Sequence, residues 1–395
     1  MFTKKTIRDV DVKGKRVLVR VDFNVPLTKD GEVADDTRVR AVLPTLNNLI
    51  EREAKVILVS HLGRPDGKVD DAVRMTPVAK CLSELIGKQV KKVDKTVTEK
   101  VGAAASCLQN GDVLLLENVR FNPGEKENSP EFAKQLASLA EIYVNDAFGT
   151  AHRNHASTVG VTNYLPAYGG FLLEKEVNEL NKLVENPNKP FMAVLGGNKV
   201  SDKIGVIDKF LDIVDAILAG GGMCFTFLKA KGIDIGGSIC QDDELEHSFN
   251  MLEKAKRKGI DFLLPVDVMV SEALADDANH KVVSVNNIPD KWMGLDIGPK
   301  TVQTYEEILG KAKTIFWNGP MGVFEMEPFS KGTRAIAVAI ANSQSTTIVG
   351  GGDSDAALRK YGLEDEVSFV STGGGASLKL LEGRSLPGVE ALLNK

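Results

Sequence analysis

Cysteine is scarce in this chain, and what there is lies scattered. Cys81, Cys107, Cys224 and Cys240 form no CxxC pair, which excludes a zinc ribbon and a dithiol redox motif. Four buried, reduced thiols are expected instead. A positive excess is also lacking: the formal net charge is -5, against a general nucleic-acid binder, so any anion site must be local. No run approaches the roughly 20 apolar residues of a membrane-spanning helix. The opening MFTKKTIRDV has no apolar core of signal-peptide length, and a cytoplasmic protein with no membrane partner is expected. Nucleotide fingerprints are missing as well, since neither GxxxxGK[ST] nor GxGxxG followed by an acid about 20 residues on occurs. No Ser-His-Asp, Cys-His or paired-carboxylate set stands out.

What is present is a chain of 395 residues with 43% hydrophobic and 26% charged residues, enough for two or three cores. Its first part repeats one grammar. The short apolar runs 16–21, 56–59, 113–116 and 142–144 each end in polar loops, carrying Asp22 and Asn24, His61 and Arg64, Arg120, and Arg153 respectively. Helical periodicity falls between them, notably at Val39, Val42, Leu43, Leu46, Leu49 and Ile50. Alternating strands and helices predict a parallel α/β sheet, whose ligands bind beyond the carboxyl ends of the strands.

Ten of the fourteen arginines precede residue 154. Guanidinium groups grip phosphate and carboxylate oxygens two at a time, so several on one sheet edge suit a small, multiply charged anion. Arg38 is unusual, opening a helix just after Thr37, where the macrodipole disfavours a cation. Either an anion approaches it or Asp35 and Asp36 neutralise it. His61 reads as a hydrogen-bonding loop residue rather than a base. His152 and His155 flank Arg153 without a further ligand cluster, which argues against a metal.

After residue 190 the strand ends change chemistry. Runs at 191–195, 216–219, 314–317, 348–349 and 368–370 pass into the glycine-rich stretches 196–197, 220–222, 319–322, 350–352 and 373–375. Glycine lets a backbone approach a ligand closely, and a helix starting there offers N–H groups to phosphate. Lys199 and Lys203 would share a face on a helix and reach neighbouring phosphates. Asp353 reads either as an N-cap or as a Mg2+ ligand, and Glu325 as a partner for a ribose hydroxyl. Trp317 and Phe324 read as core.

Between the halves, residues 171–190 show helical periodicity bounded by Gly169, Gly170, Pro187 and Pro190. A connecting helix and an ordinary surface helix are both consistent with the stretch itself; the contrast between its flanks favours the connection. An anion-binding part and a nucleotide-binding part together suggest phosphoryl transfer. If the partners are an acyl phosphate and a nucleoside diphosphate, both nucleophiles are already ionised and no general base is needed. A dehydrogenase and a closing binding protein without chemistry are the rivals, opposed by the missing dinucleotide fingerprint and by the paired lysines.

The runs RVLVRVDFNVPL, SHLGRP, ENVRF, NDAFGTAHR, LGGNKVSDKI, WNGPMGVFE, GGGDS and STGGGAS, in this order over nearly the whole chain, closely resemble the phosphoglycerate kinase family. The resemblance implies an α/β enzyme of glycolysis with two Rossmann-like, three-layer parallel-sheet lobes. They would be a 3-phosphoglycerate domain at 1–170, with the tail 383–395 returning to it, and a nucleotide domain at 187–382. Residues 171–186 would be the hinge helix.

It also implies a monomer that interconverts 1,3-bisphosphoglycerate and ADP with 3-phosphoglycerate and ATP, using Mg2+. Asp22, Asn24, Arg38, His61, Arg64, Arg120 and Arg153 would then hold 3-phosphoglycerate, with Arg38 nearest the transferred group. Lys199, Lys203, Gly222, Gly294, Asn318, Glu325, Gly351, Gly352, Asp353 and Ser354 would hold the nucleotide. Asp353 would bind the metal, Lys203 would follow the moving phosphoryl group, and Gly373 to Gly375 would stabilise it. The sequence departs from the family pattern at Asn198, where alanine is usual, and at Lys379, where glutamate is common.

Overall fold

The apolar runs become strands buried along almost their whole length, the signature of interior parallel strands covered on both faces. The computed structural model describes residues 2–395. By contact density the chain divides into two units, one of residues 1–178 with 385–395, the other of residues 179–384.

In the first unit the strands are β1 (Arg16–Arg20), β2 (Lys55–Val59), β3 (Val90–Lys92), β4 (Val113–Leu115), β5 (Ile142–Asn145) and β6 (Ala167–Gly169). They form one parallel sheet in the order β3-β4-β2-β1-β5-β6. Helices α1 (Thr37–Ala41), α2 (Leu43–Glu51), α3 (Thr76–Ile86), α4 (Glu99–Ser106) and α5 (Pro130–Ala137) lie between strands, and α6 (Phe171–Glu185) follows β6. The periodic stretch expected as one helix is broken at Val42, because Pro44 in the first turn of α2 lacks an N–H to continue α1. Val17, Val19, Leu46, Leu49, Val56 and Leu58 meet in the core.

In the second unit β7 (Phe191–Leu195), β8 (Ala216–Ala219) and β9 (Asp261–Leu263) are followed by β10 (Asp267–Ser271), β11 (His280–Ser284), β12 (Met293–Ile297), β13 (Thr314–Asn318), β14 (Thr346–Gly350) and β15 (Phe369–Ser371). The helices are α7 (Ile204–Phe210), α8 (Met223–Ala230), α9 (Leu245–Lys258), α10 (Pro299–Leu309), α11 (Lys331–Ala341), α12 (Gly352–Tyr361) and α13 (Gly375–Leu381). The last helix, α14 (Pro387–Glu390), falls in the tail that belongs to the first unit. The second parallel sheet runs β15-β14-β13-β7-β8-β9. Beside it stands an antiparallel sheet, β11-β10-β12, that the sequence reading did not contain.

Both parallel sheets reverse their winding at a central strand. β1 has β2 on one side and β5 on the other, while β7 lies between β8 and β13. At such a switch point the loops leaving neighbouring strands diverge and open a crevice at the carboxyl edge. Asp22 and Asn24 follow β1, and Gly196 and Gly197 follow β7.

Candidate functional site

At the carboxyl edge of the first sheet, side chains knit the loops together. Phe23 N donates to Ser60 Oγ at 2.9 Å and Gly63 N to Asn24 Oδ1 at 2.8 Å. Asn118 joins the loop after β2 through Leu62, accepting from its N–H at 3.2 Å and donating to its carbonyl at 2.7 Å. Arg120 Nη1 donates to the Gly63 carbonyl at 2.7 Å. With its carbonyl oxygen so engaged, Asn24 presents its amide nitrogen as a donor.

Arg38 Nη1 donates to Asp22 Oδ2 at 3.0 Å. Of the two acids that the sequence offered as its neutralisers, Asp36 pairs with Arg40 at 2.8 Å, and the carboxylate seated on Arg38 is Asp22. Arg38 therefore keeps most of its five donors for another anion.

His61 is buried, and its Nδ1 lies 3.2 Å from Arg20 Nη2 and 3.6 Å from Asp22 Oδ1. Arginine can only donate, so Nδ1 is the acceptor and the ring proton sits on Nε2. Burial first, then the charges of Arg20, Arg120, Arg38 and Arg153, hold the imidazole well below its usual value. The ring is therefore neutral, with Nε2 left as its donor. The same positive field, after burial, brings Arg120 down to about 10. Arg64 and Arg153 are exposed.

The sequence reading missed Arg20, which is 1% exposed. Its Nε donates to Ser157 Oγ at 2.9 Å, and Ser157 in turn donates through Oγ and N to the buried Glu125 at 2.7 and 2.9 Å. The signal was a cation ending an otherwise apolar run. His155 lies 3.6 Å from Glu125 and is pushed down to about 4, by burial and then by Arg20, Arg120 and Arg153. Its place is structural.

At the carboxyl edge of the second sheet lies a cavity of about 950 Å³. Its walls are the loops after β7, β13, β14 and β15 and the starts of α7, α12 and α13. Lys199, Lys203, Asn318, Gly351, Gly352, Asp353, Ser354 and Gly374 line it together, joined by Asn198 and Lys379. Gly222, Gly294, Glu325 and Gly373 do not. Gly294 is in β12, where a Cβ would come within 2.0 Å of the Phe225 ring, so packing also requires glycine there. Glu325 is exposed, and Gly373 N donates to Ser371 Oγ at 3.2 Å.

Two glycines here answer to backbone demands. Gly319 has φ +94°, and a Cβ would meet the Gly196 carbonyl oxygen at 2.4 Å. Gly374 caps α13 at φ 52° and ψ -116°, a region closed to other residues. Asn318 Nδ2 donates to the Gly350 carbonyl at 2.7 Å and Gly319 N to Ser354 Oγ at 2.6 Å, so β13 and β14 hold the cavity floor rigid.

The lysines are not on a helix. Lys199 lies in an irregular loop, residues 201–203 form a turn, and Lys203 caps α7. Lys203 is 9% exposed, and burial lowers its pKa against the opposing pull of Asp202 and Asp353. Asp353 is not an N-cap: Gly351 holds that position, and Asp353 stands in the first turn of α12, facing solvent. Among the described residues no three His, Cys, Asp or Glu side chains gather as a metal site. An exposed carboxylate on the wall of this cavity suits Mg2+, which is commonly held by one or two carboxylates and completed by phosphate oxygens and water.

Trp317 and Phe324 are core residues, as expected. The thiol expectation is corrected, because only Cys224 is buried; Cys81 and Cys240 are partly exposed and Cys107 is exposed. Among the described residues no helix is long and apolar enough to cross a membrane.

A family model described as phosphoglycerate kinase matches residues 7–384. The chain is 56% identical to a phosphoglycerate kinase of Thermosynechococcus vestitus and 55% identical to one of Acaryochloris marina, each over 99% of both chains. Among solved structures, phosphoglycerate kinase from Coxiella burnetii is similar at 44% identity with a TM-score of 0.86. The enzyme from Pyrococcus horikoshii OT3 is similar at 34% identity with a TM-score of 0.87. Each of these two matches covers 98% of both chains.

Proposed function

The chain belongs to the phosphoglycerate kinase family, and from that premise we propose how its own residues divide the work. The reaction is the family's reversible, Mg2+-dependent transfer of a phosphoryl group between 1,3-bisphosphoglycerate and ADP, giving 3-phosphoglycerate and ATP in glycolysis. Residues 1–170 with the tail 383–395 form the 3-phosphoglycerate domain and 187–382 the nucleotide domain, and 171–186 serve as hinge.

Asp22, Asn24, Arg38, His61, Arg64, Arg120 and Arg153 bind 3-phosphoglycerate. His61 donates from Nε2, because Arg20 occupies Nδ1. Asn24 donates from its amide nitrogen, because Gly63 occupies the oxygen. Arg38, tethered through one nitrogen to Asp22, turns its remaining donors to the group in flight. Lys199, Lys203, Asn318, Gly351, Gly352, Asp353 and Ser354 bind the nucleotide phosphates, and Gly222, Gly294 and Glu325 belong to the nucleoside end. Gly373 and Gly374 shape the backbone that meets the transferring phosphate.

Lys203 is the observation that carries this reading. A nearly buried ammonium at a helix start, against the macrodipole and with no carboxylate in ion-pair contact among the described residues, is stabilised further when an anion enters the cavity. As that anion's phosphate moves, Lys203 can move with it. Asp353 would hold Mg2+, which when bound neutralises charge on the phosphate chain. No residue needs to take a proton, since the carboxylate and the diphosphate are already ionised. What the protein supplies is alignment, positive charge and, through closure of the domains about α6, exclusion of water. We place the enzyme in the cytoplasm as a monomer with small-molecule partners only. The test is ADP formation from ATP and Mg2+: it should require 3-phosphoglycerate, and absence of turnover when all three are present overturns the assignment.

A further inference from the structure

Four cations line the cavity of the second unit, and they are not alike. Arg384 Nε lies 2.8 Å from Glu382 Oε2, so that pair cancels its own charge. Lys199, Lys203 and Lys379 have no carboxylate recorded within ion-pair distance among the described residues, while the wall's other carboxylates are Asp202 and Asp353. Three ammonium groups against two carboxylates leave the wall one positive charge in excess.

Lys203 and Lys199 already have roles above; Lys379 has none. It stands in the last turn of α13, partly buried, on the same wall as Gly374, Gly375 and Leu378. The end of the helix macrodipole favours a cation there, which is a purely structural reason for it. That reason does not account for its facing a cavity that already holds two unpaired ammonium groups. Like charges sharing one recess repel one another unless an anion joins them.

We propose that Lys379 is a third phosphate-facing cation of the nucleotide site, contributing most to a nucleotide that carries no metal. The proposal rests on the reading of this cavity as the nucleotide site. A metal-free nucleotide presents the full charge of its phosphate chain, whereas a bound divalent cation cancels two of those charges. The Coulomb gain from one added lysine therefore scales down when the metal is present. Removing Lys379 takes the wall from an excess of one positive charge to none, and a carboxylate in its place takes it to one negative.

Titration calorimetry of ADP into the intact protein, in EDTA and again in Mg2+, tests this. Lys379→Gln should weaken binding about fivefold in EDTA and about twofold in Mg2+, the size of one partly exposed charge contact. Lys379→Glu should weaken it more than tenfold in EDTA, and Lys379→Arg should restore it. In the unmodified protein, raising ionic strength should weaken metal-free ADP more than the Mg2+ complex. A purely dipolar role for Lys379 would instead lower the Tm of Lys379→Gln and leave both affinities unchanged, and that result overturns the proposal. Equal losses with and without metal overturn it too. If the unmodified protein binds ADP in neither buffer, the nucleotide reading itself fails and takes the proposal with it. Binding that is normal in the unmodified protein and in both Lys379→Gln and Lys379→Glu refutes Lys379 alone.

Discussion

Arg38 illustrates how little of a side chain need be committed at rest. One guanidinium nitrogen is held by Asp22 at 3.0 Å, and the planar fork is then oriented without being used up. If its role is to meet charge that develops in transfer, Arg38→Ala should lower kcat by roughly three to five orders of magnitude, the range for arginines acting on phosphoryl groups. The nucleotide KM should move by less than about threefold, because the cavity lies in the other unit. Steady-state kinetics at saturating Mg2+ decide it, and a near-normal kcat makes Arg38 structural. The arginines after strands could be recognised in the sequence because polar loops broke apolar runs there. Arg20 left only the weak signal of a cation at the end of such a run, because its partners Ser157 and His61 are distant in sequence. The partner of Arg38 was out of reach for the same reason: Asp35 and Asp36 are near in sequence, but Asp22 is near in space.

α6 is held at its start by side chains from elsewhere in its unit. Phe171 N donates to Thr45 Oγ1 at 2.9 Å and Leu173 N to Asp146 Oδ1 at 3.1 Å. These satisfy N–H groups that a helix start leaves open. A Cβ on Gly170 would fall 2.2 Å from Asp146 Oδ1, so glycine is what admits the carboxylate. Burial raises Asp146 from 3.8 to about 7. Its folded pKa exceeds its unfolded one, so the folded state binds the extra proton between these values and stability falls as pH rises through that window. His61 and His155, with lowered values, tilt the other way. The difference between the unmodified protein and Asp146→Asn isolates the carboxylate. The variant should match it near pH 4 and exceed it by a few kcal/mol at pH 8 in urea unfolding; parallel pH curves would show that Asp146 stays ionised throughout. Strands buried on both faces, such as β7 and β13, could be read from sequence because burial writes a continuous apolar run. β3, β9 and β11 could not, since their partial exposure breaks that run, and the antiparallel sheet went unread with β11.

The chain crosses from the first unit to the second within α6 and comes back at Ser385. This return is bonded into the first sheet. Leu393 N donates to the Ala167 carbonyl at 3.0 Å and Lys5 N to the Leu393 carbonyl at 2.7 Å. Asn145 Nδ2 donates to the Gly388 carbonyl at 3.0 Å, while Leu386 and Leu392 are buried. Every residue lining the cavity of the second unit lies at 197–384, before the return. Deleting 385–395 should therefore destabilise the first unit by roughly 5 kcal/mol, from two exposed leucine sites and orphaned backbone partners. ADP affinity should stay within about twofold. The two tryptophans, Trp292 and Trp317, both belong to the second unit, so indole fluorescence follows that unit and far-UV circular dichroism follows both. In urea the truncated chain should show an early dichroism transition with the fluorescence midpoint unmoved. If the two signals shift together and ADP binding is lost, the units fold as one and the division of labour proposed for them does not extend to stability.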